Sequence, residues 1–203
     1  AGIHERHIIH KDINPGNIVY EPSTDTLKII DFGIATRLAQ QTTLFTNLEQ
    51  LEGTVAYISP EQTGRMNRAL DYRTDFYSLG VTLYEMLGGR LPFLGDDIHK
   101  LVHSHIALHP PPLHEFNAAV PPLLSAIVAK LMAKRAEDRY ASGWGVVADL
   151  RACLDALERG ESSPTFPLAQ HDAPIRLEIP QKLYGRSDAV RMLLEAFGRV
   201  RQS

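Results

Sequence analysis

The segment His10 to Asn17, HKDINPGN, has the form H-x-D-x-x-x-x-N, and fourteen residues after Asn17 the chain reads DFG, Asp31 to Gly33. Carboxylates and amides at this spacing suit phosphoryl transfer. That reaction needs one carboxylate to orient and deprotonate an attacking hydroxyl, and oxygen ligands to hold magnesium against nucleotide phosphates. Each motif is short, and the signal lies in their order and spacing. For these groups to meet, the chain between them must fold back. IVY (Ile18 to Tyr20) and LKII (Leu27 to Ile30) are β-rich runs flanking EPSTDT, whose Pro22 and Asp25 suit a loop, so a short hairpin is expected.

Further elements follow from periodicity. Residues 31 to 74, rich in Thr, Gln and Gly without a sustained period, read as an extended surface segment. Phe76, Leu79, Gly80, Leu83 and Leu87 then share one face of a helix ended by Gly88-Gly89. Helical patterns recur at 96 to 107, at 121 to 134 behind Pro121-Pro122, and from Ser142 to Leu157, with Val146, Val147, Leu150, Leu154 and Leu157 on one face. From 159 to 182 the periodicity stops and prolines recur at 164, 167, 174 and 180, which marks a linker or a strapped-down arm. A last helix carries Val190, Leu193, Leu194 and Phe197 on one stripe, with Ser187 or Asp188 as cap.

Composition bounds the alternatives. The 203 residues are 44% hydrophobic and 22% charged, enough apolar material for a core and against disorder or a membrane span. A net charge of −3 leaves no basic excess for a nucleic-acid partner. The single cysteine, Cys153, excludes an intramolecular disulfide and a Cys-rich zinc site; mid-helix, it reads as a buried inert thiol, and a cytoplasmic setting fits. The opening AGIHERHIIH has neither an initiator methionine nor the basic-then-apolar order of a secretion signal, so the chain reads as a piece of something longer.

The run from His10 to Gly33 resembles the catalytic loop, hairpin and magnesium loop of the protein kinase family. The resemblance implies Asp12 as catalytic base, Asn17 and Asp31 as ligands of Mg2+ on ATP, a protein as phosphate acceptor, and His10, Phe32 and Gly33 as structural supports. GTVAYISPE (Gly53 to Glu61) is similar to the end of a kinase activation segment, with Thr54 steadying the base as in serine/threonine kinases. DFYSLG (Asp75 to Gly80) resembles the start of the family's buried central helix, whose aspartate bonds catalytic-loop amides. RAEDRY (Arg135 to Tyr140) resembles the element whose arginine pairs with the glutamate after the segment, which implies an Arg139–Glu61 ion pair.

Two positions depart from the family pattern. Lys11 stands where many kinases carry an arginine that grips an activation-segment phosphate, and it keeps the charge without the bidentate fork. Thr42, Thr43 and Thr46 lie where such phosphorylation occurs, and an unmodified polar loop is an equal reading. Asn14 stands where serine/threonine kinases usually place a lysine that neutralises the transferring phosphoryl group; an amide donates a hydrogen bond but brings no charge.

The implied fold is α+β, mainly α. It comprises a kinase large lobe over residues 1–158 without its small lobe, a Pro-containing linker over 159–182, and over 183–203 the first helix of an AAA-type ATPase module. Ile58 to Phe93 resembles more narrowly the kinase domain heading large bacterial proteins in which an ATPase module, a sensor and a histidine kinase follow. IPQKLYGR (Ile179 to Arg186) is similar to that module's entry, so downstream domains are expected partners. No Gly-rich phosphate loop or strand lysine occurs in the chain, so by itself it is expected to bind ATP poorly, to phosphorylate nothing, and to expose apolar surface around Ile8, Ile9, Ile13 and Phe32. A second reading is a pseudokinase-like regulatory or scaffolding domain, favoured by Asn14 and Lys11 and opposed by the intact Asp12, Asn17 and Asp31.

Other patterns weigh less. GWGVVA (Gly143 to Ala148) fits the dinucleotide fingerprint G-x-G-x-x-A, but RAEDRY precedes it rather than a strand, so a plain helix start is expected. His99, His103, His105 and His109 include a helical i, i+4 pair without a completing carboxylate or thiol, and read as ordinary helix histidines. His4 and His7 read as packing or surface residues.

Overall fold

A computed structural model of the chain describes residues 1–37, 54–66, 68, 70–95, 97–161 and 164–173. The expectations for Thr42, Thr43 and Thr46, for the Thr54 side chain, and for the domain opening at 183–203 fall outside the described residues.

Among the described residues the fold is α+β, with helices outweighing two small antiparallel ribbons. After a one-turn helix α1 (Gly2–Glu5), strand β1 (Ile8–Ile9) pairs with β4 (Thr36–Arg37), Ile9 opposite Thr36. Inside this bracket, β2 (Ile18–Glu21) and β3 (Thr26–Ile29) form the expected hairpin, with Val19 opposite Lys28 and Tyr20 opposite Leu27. The outer pairing therefore closes a loop that begins at His10 and ends beyond Gly33.

The helices assemble around α2 (Arg73–Gly88), which Gly89 ends at φ 67°, the left-handed cap that glycine adopts without strain. Helices α3 (Ile98–Ala107), α4 (Leu113–Phe116), α5 (Pro122–Leu131) and α6 (Gly143–Glu158) follow. Asp97 caps α3, Pro122 opens α5, and the Ser142 hydroxyl caps α6 by accepting from Gly145 N–H at 3.0 Å. Helix α5 crosses α2 at Gly80, where an added Cβ would lie 2.7 Å from Met132 Cγ. The crossing needs a residue without a side chain.

The faces buried differ from the periodic readings. In α2, Phe76 and Gly80 are buried, but Leu79, Leu83 and Leu87 are only half-buried, while Tyr77, Val81 and Tyr84 form the deepest stripe. Because α2 is enclosed on several sides, Thr74, Asp75, Ser78 and Thr82 are buried as well, each hydrogen-bonded. In α6 the buried positions are Gly143, Gly145, Val146, Asp149, Cys153 and Ala156, and Leu154 is 54% exposed. Leu79 and Leu83 of α2 instead face Val147 and Leu150 of α6 across an apolar groove of about 320 Å3.

Two further expectations are corrected. Residues 55–63 are not surface: the 3-10 turn Pro60–Thr63 is buried because tertiary partners satisfy its polar groups, and in the turn Thr54–Tyr57 Val55 is buried while Ala56 and Tyr57 are half-buried. Ile9 (2% exposed) and Ile13 (4%) are core, Ile8 is half-buried, and only Phe32, at 43%, is exposed as expected, together with Val19, Tyr20, Leu27, Ile30 and Ile34. Beyond α6, Phe166, Leu168 and Ala169 pack on the core as a strap, held by Ala169 N–H to Asp149 (2.8 Å) and by the Asp172 carboxylate on Ala141 N–H (2.5 Å) and Ser142 Oγ–H (2.8 Å).

Candidate active site

The catalytic-loop sequence is polar and Pro-interrupted, so it forms neither helix nor strand and depends on side chains to fix it. Asn14 starts a 3-10 turn, Pro15–Asn17, by accepting from Gly16 N–H at 2.9 Å, while its Nδ2 donates to Asp12 Oδ1 at 2.9 Å. Asn17 Nδ2 donates to Asp12 Oδ2 and to the Asp12 carbonyl, both at 2.8 Å. Both oxygens of the half-buried Asp12 carboxylate are thus aimed by amides within five residues of it. Asn14 is engaged at both ends as a brace of this loop, a different part from the charge-neutralising one of a lysine.

The hairpin returns the chain to this loop: Ile30 N–H donates to the Asn17 carbonyl at 2.9 Å, which brings Asp31 alongside Asn17. His10, fully buried, bridges the two segments. Its Nε2 lies 3.1 Å from the Ile30 carbonyl and its Nδ1 accepts from Asp12 N–H at 3.3 Å, contacts that together require the proton on Nε2. Phe32 packs edge-on against the His10 ring, centroids 4.6 Å apart. Asp31 sits at φ 60° and accepts from Gly33 N–H at 3.1 Å. Among the described residues nothing donates to Asn17 Oδ1 or Asp31 Oδ2. An amide carbonyl and a carboxylate are hard oxygen donors of the kind Mg2+ takes, usually completed by water and substrate phosphates, so these residues fit the metal.

Asp75, buried at the start of α2, supports the loop from below. Its Oδ2 accepts His10 N–H (2.9 Å) and its Oδ1 Lys11 N–H (2.7 Å). Lys11 occupies the left-handed region at φ 70°, rare for a side chain of this kind, and needs such partners to stay there. Burial holds the Lys11 ammonium below the ordinary lysine range, and the Asp75 charge offsets this only in part. The Glu61 carboxylate meets the Arg139 guanidinium bidentately at 2.6 and 2.9 Å and accepts from Thr74 Oγ1 at 2.8 Å. Burial works to raise the Glu61 carboxyl, but bonding and charge from Arg139 outweigh it and hold it below the usual carboxylate range. Thr54 has its backbone in the first 3-10 turn.

Sequence reasoning missed three participants. His4, read as packing or surface, is buried with Nε2 2.8 Å from Asp75 Oδ2. Thr74 bonds Glu61, and Gln62 bonds the Lys11 carbonyl. His4 and Thr74 carry no periodic or motif signal, because their partners lie on other elements, whereas Gln62 stands at the S-x-x-Q spacing of a capping box with Ser59, a signal that could have found it. The decoys resolve physically: Gly145, inside the G-x-G pattern, abuts the Asp172 carboxylate, whose charge stands where a phosphate would have to sit. His99 contacts Arg65 at 3.0 Å while His105 is buried against Tyr77, and among the described residues no three metal-ligating groups converge.

A carboxylate aimed by two amides, a DFG turn returned to it by a hairpin, and a buried helix aspartate under the loop are thus brought together in one place. The protein kinase domain model matches residues 1–143, and the chain belongs to the protein kinase family. It is 37% identical over 170 residues to the serine/threonine-protein kinase PknB of Mycolicibacterium smegmatis, covering 84% of this chain and 26% of that protein. Identity to PknB of Mycobacterium leprae is 36% over 170 residues, with the same coverage. The hybrid signal transduction histidine kinase G of Dictyostelium discoideum is 36% identical over 167 residues, which are 72% of this chain and 5% of that protein. The chain thus spans about a quarter of the length of its PknB relatives. Among the described residues no helix is long and apolar enough to cross a membrane.

Proposed function

We propose that the chain is the large lobe of an ATP-dependent serine/threonine protein kinase within a multidomain cytoplasmic signalling protein. The observation that carries this reading is the Asp12 carboxylate, held by Asn14 and Asn17 with one amide on each oxygen. In the reaction Asp12 orients a substrate Ser or Thr hydroxyl and accepts its proton as the oxygen attacks the γ-phosphorus, while the bond from that phosphorus to the departing ADP oxygen breaks. Asn17 and Asp31 would hold Mg2+, which when bound neutralises phosphate charge. The preference for Ser/Thr rests on Thr54, on the ISPE segment and on the names of the PknB relatives. The multidomain setting is supported by the histidine kinase relative and by IPQKLYGR, the resemblance to an ATPase entry.

Asn14 favours a second reading, a regulatory domain that binds partners without transfer, since no cation stands at that position of the loop. Radiolabel transfer from ATP by the full-length protein and by its Asp12→Asn variant separates the two. Catalysis predicts labelling that falls at least 100-fold in the variant, by analogy with the factor of about 10²–10⁴ that general base catalysis contributes. Equal labelling of both proteins would overturn the role of Asp12.

A further inference from the structure

Gln62 is 1% exposed and uses its amide in two directions. Its Oε1 accepts from Ser59 N–H at 3.0 Å, completing the cap of the turn Pro60–Thr63, and its Nε2 donates to the Lys11 carbonyl at 2.9 Å, across 51 residues of sequence. That carbonyl belongs to the peptide group whose N–H is that of Asp12, and this N–H donates to His10 Nδ1. The Lys11–Asp12 peptide plane is therefore held at its oxygen by Gln62 and at its nitrogen by His10. On the other side of Lys11, the N–H is held by Asp75. A residue at φ 70° with a long side chain relaxes toward negative φ when released, and the rotation is taken up by the adjoining peptide plane, which carries the base.

We infer that Gln62 is a positioning residue for Asp12: its hydrogen bond to the Lys11 carbonyl locks the strained peptide that aims the base, and couples that aim to the buried segment Ser59–Thr63. This rests on the reading of Asp12 as base. The Glu61–Arg139 pair, next to Gln62 in sequence, fixes one end of the coupling. Displacement of the segment reaches Asp12 through one hydrogen bond, without any change in the residues that touch ATP.

The test uses Gln62→Glu and Gln62→Met in the full-length protein, with kcat and KM measured from pH 6 to 9 per folded molecule, folded fraction being taken from circular dichroism. An ionised carboxylate still accepts from Ser59 N–H but cannot donate to the Lys11 carbonyl; protonated, it does both. The titratable and charged groups around the network, His4, His10, Lys11, Asp12, Glu61, Asp75 and Arg139, are common to both variants. The expected result is a ten- to hundredfold lower kcat for both at pH 9 with KM for ATP within twofold of wild type, since small misplacements of reacting groups cost this much. Toward pH 6 the Gln62→Glu enzyme recovers relative to wild type and Gln62→Met does not. Unchanged kcat in both variants, or equal loss in both at every pH, overturns the inference. Wild-type protein without transfer activity overturns the kinase reading instead. Hydrogen exchange at the Asp12 amide of the 203-residue chain then decides the clamp alone: at least tenfold faster exchange in Gln62→Met supports it, and unchanged exchange refutes it.

Discussion

Replacing Arg139 by methionine keeps most of the side chain's apolar stem and removes five hydrogen bonds. Two go to Glu61, at 2.6 and 2.9 Å, and three to the carbonyls of Ala133 (2.8 Å), Arg73 (2.9 Å) and Lys134 (3.3 Å). What remains is a buried Glu61 carboxylate with only the Thr74 hydroxyl as side-chain donor. Stranding a buried charge costs about 3–5 kcal/mol, a large share of the 5–15 kcal/mol that holds a typical domain together. Urea unfolding of the 203-residue chain, followed by far-UV circular dichroism, should register that loss at an unchanged m-value. Adding Glu61→Gln to Arg139→Met should return part of it, because the stranded charge is gone. The exposed pair Arg159–Glu161, with side chains 62% and 47% accessible, supplies the control, and Arg159→Met should cost at most about 1 kcal/mol. A cost for Arg139→Met no larger than for Arg159→Met would refute the idea that the buried pair holds the segment ending at Glu61 onto the lobe.

Two other outcomes are expected. Asp172→Ala removes the two hydrogen bonds that fasten the strap to the start of α6 and should lower stability by about 1–2 kcal/mol; an unchanged urea midpoint would mean the strap contributes nothing. Acid should destabilise the chain in two stages. Burial, with the Lys134 charge adding to it, pushes His105 down to about 3, whereas the unfolded histidine protonates near 6.5, so stability present above 6.5 is lost at up to about 1.4 kcal/mol per pH unit as pH falls between these values. Glu61, also depressed in the fold, adds a further loss below its ordinary 4.5. A His105→Gln variant should flatten the slope of stability between pH 6 and 5, and an identical slope would refute the assignment to His105.

The hairpin, the glycine stop at Gly89 and the proline-led start of α5 were legible because each rests on residues within a turn or two of one another. So was the order of groups around Asp12, since the loop is stabilised by its own asparagines. Which face α2 and α6 turn inward was not legible. Leucine spacing places Leu154 on the inner face, yet Leu154 is exposed and Asp149 buried, because a tyrosine hydroxyl and a strap amide meet that carboxylate. A polar run such as SPEQT reads as surface until its partners are known.

By itself, then, the sequence determined the local geometry and the chemical inventory: a carboxylate with two amides in one tight loop, a DFG turn on a hairpin, and helices with their stops. Tertiary structure alone decided how that inventory is held. His4 and Asp75 meet across 71 residues, and Gln62 and Lys11 across 51. A buried polar group is stable only when a partner satisfies it, and the partner's position depends on how helices pack rather than on any pattern near the residue. Lys11 makes the point most directly. Nothing in the letters HKD announces a left-handed lysine, which exists because Asp75 grips its amide and Gln62 its carbonyl.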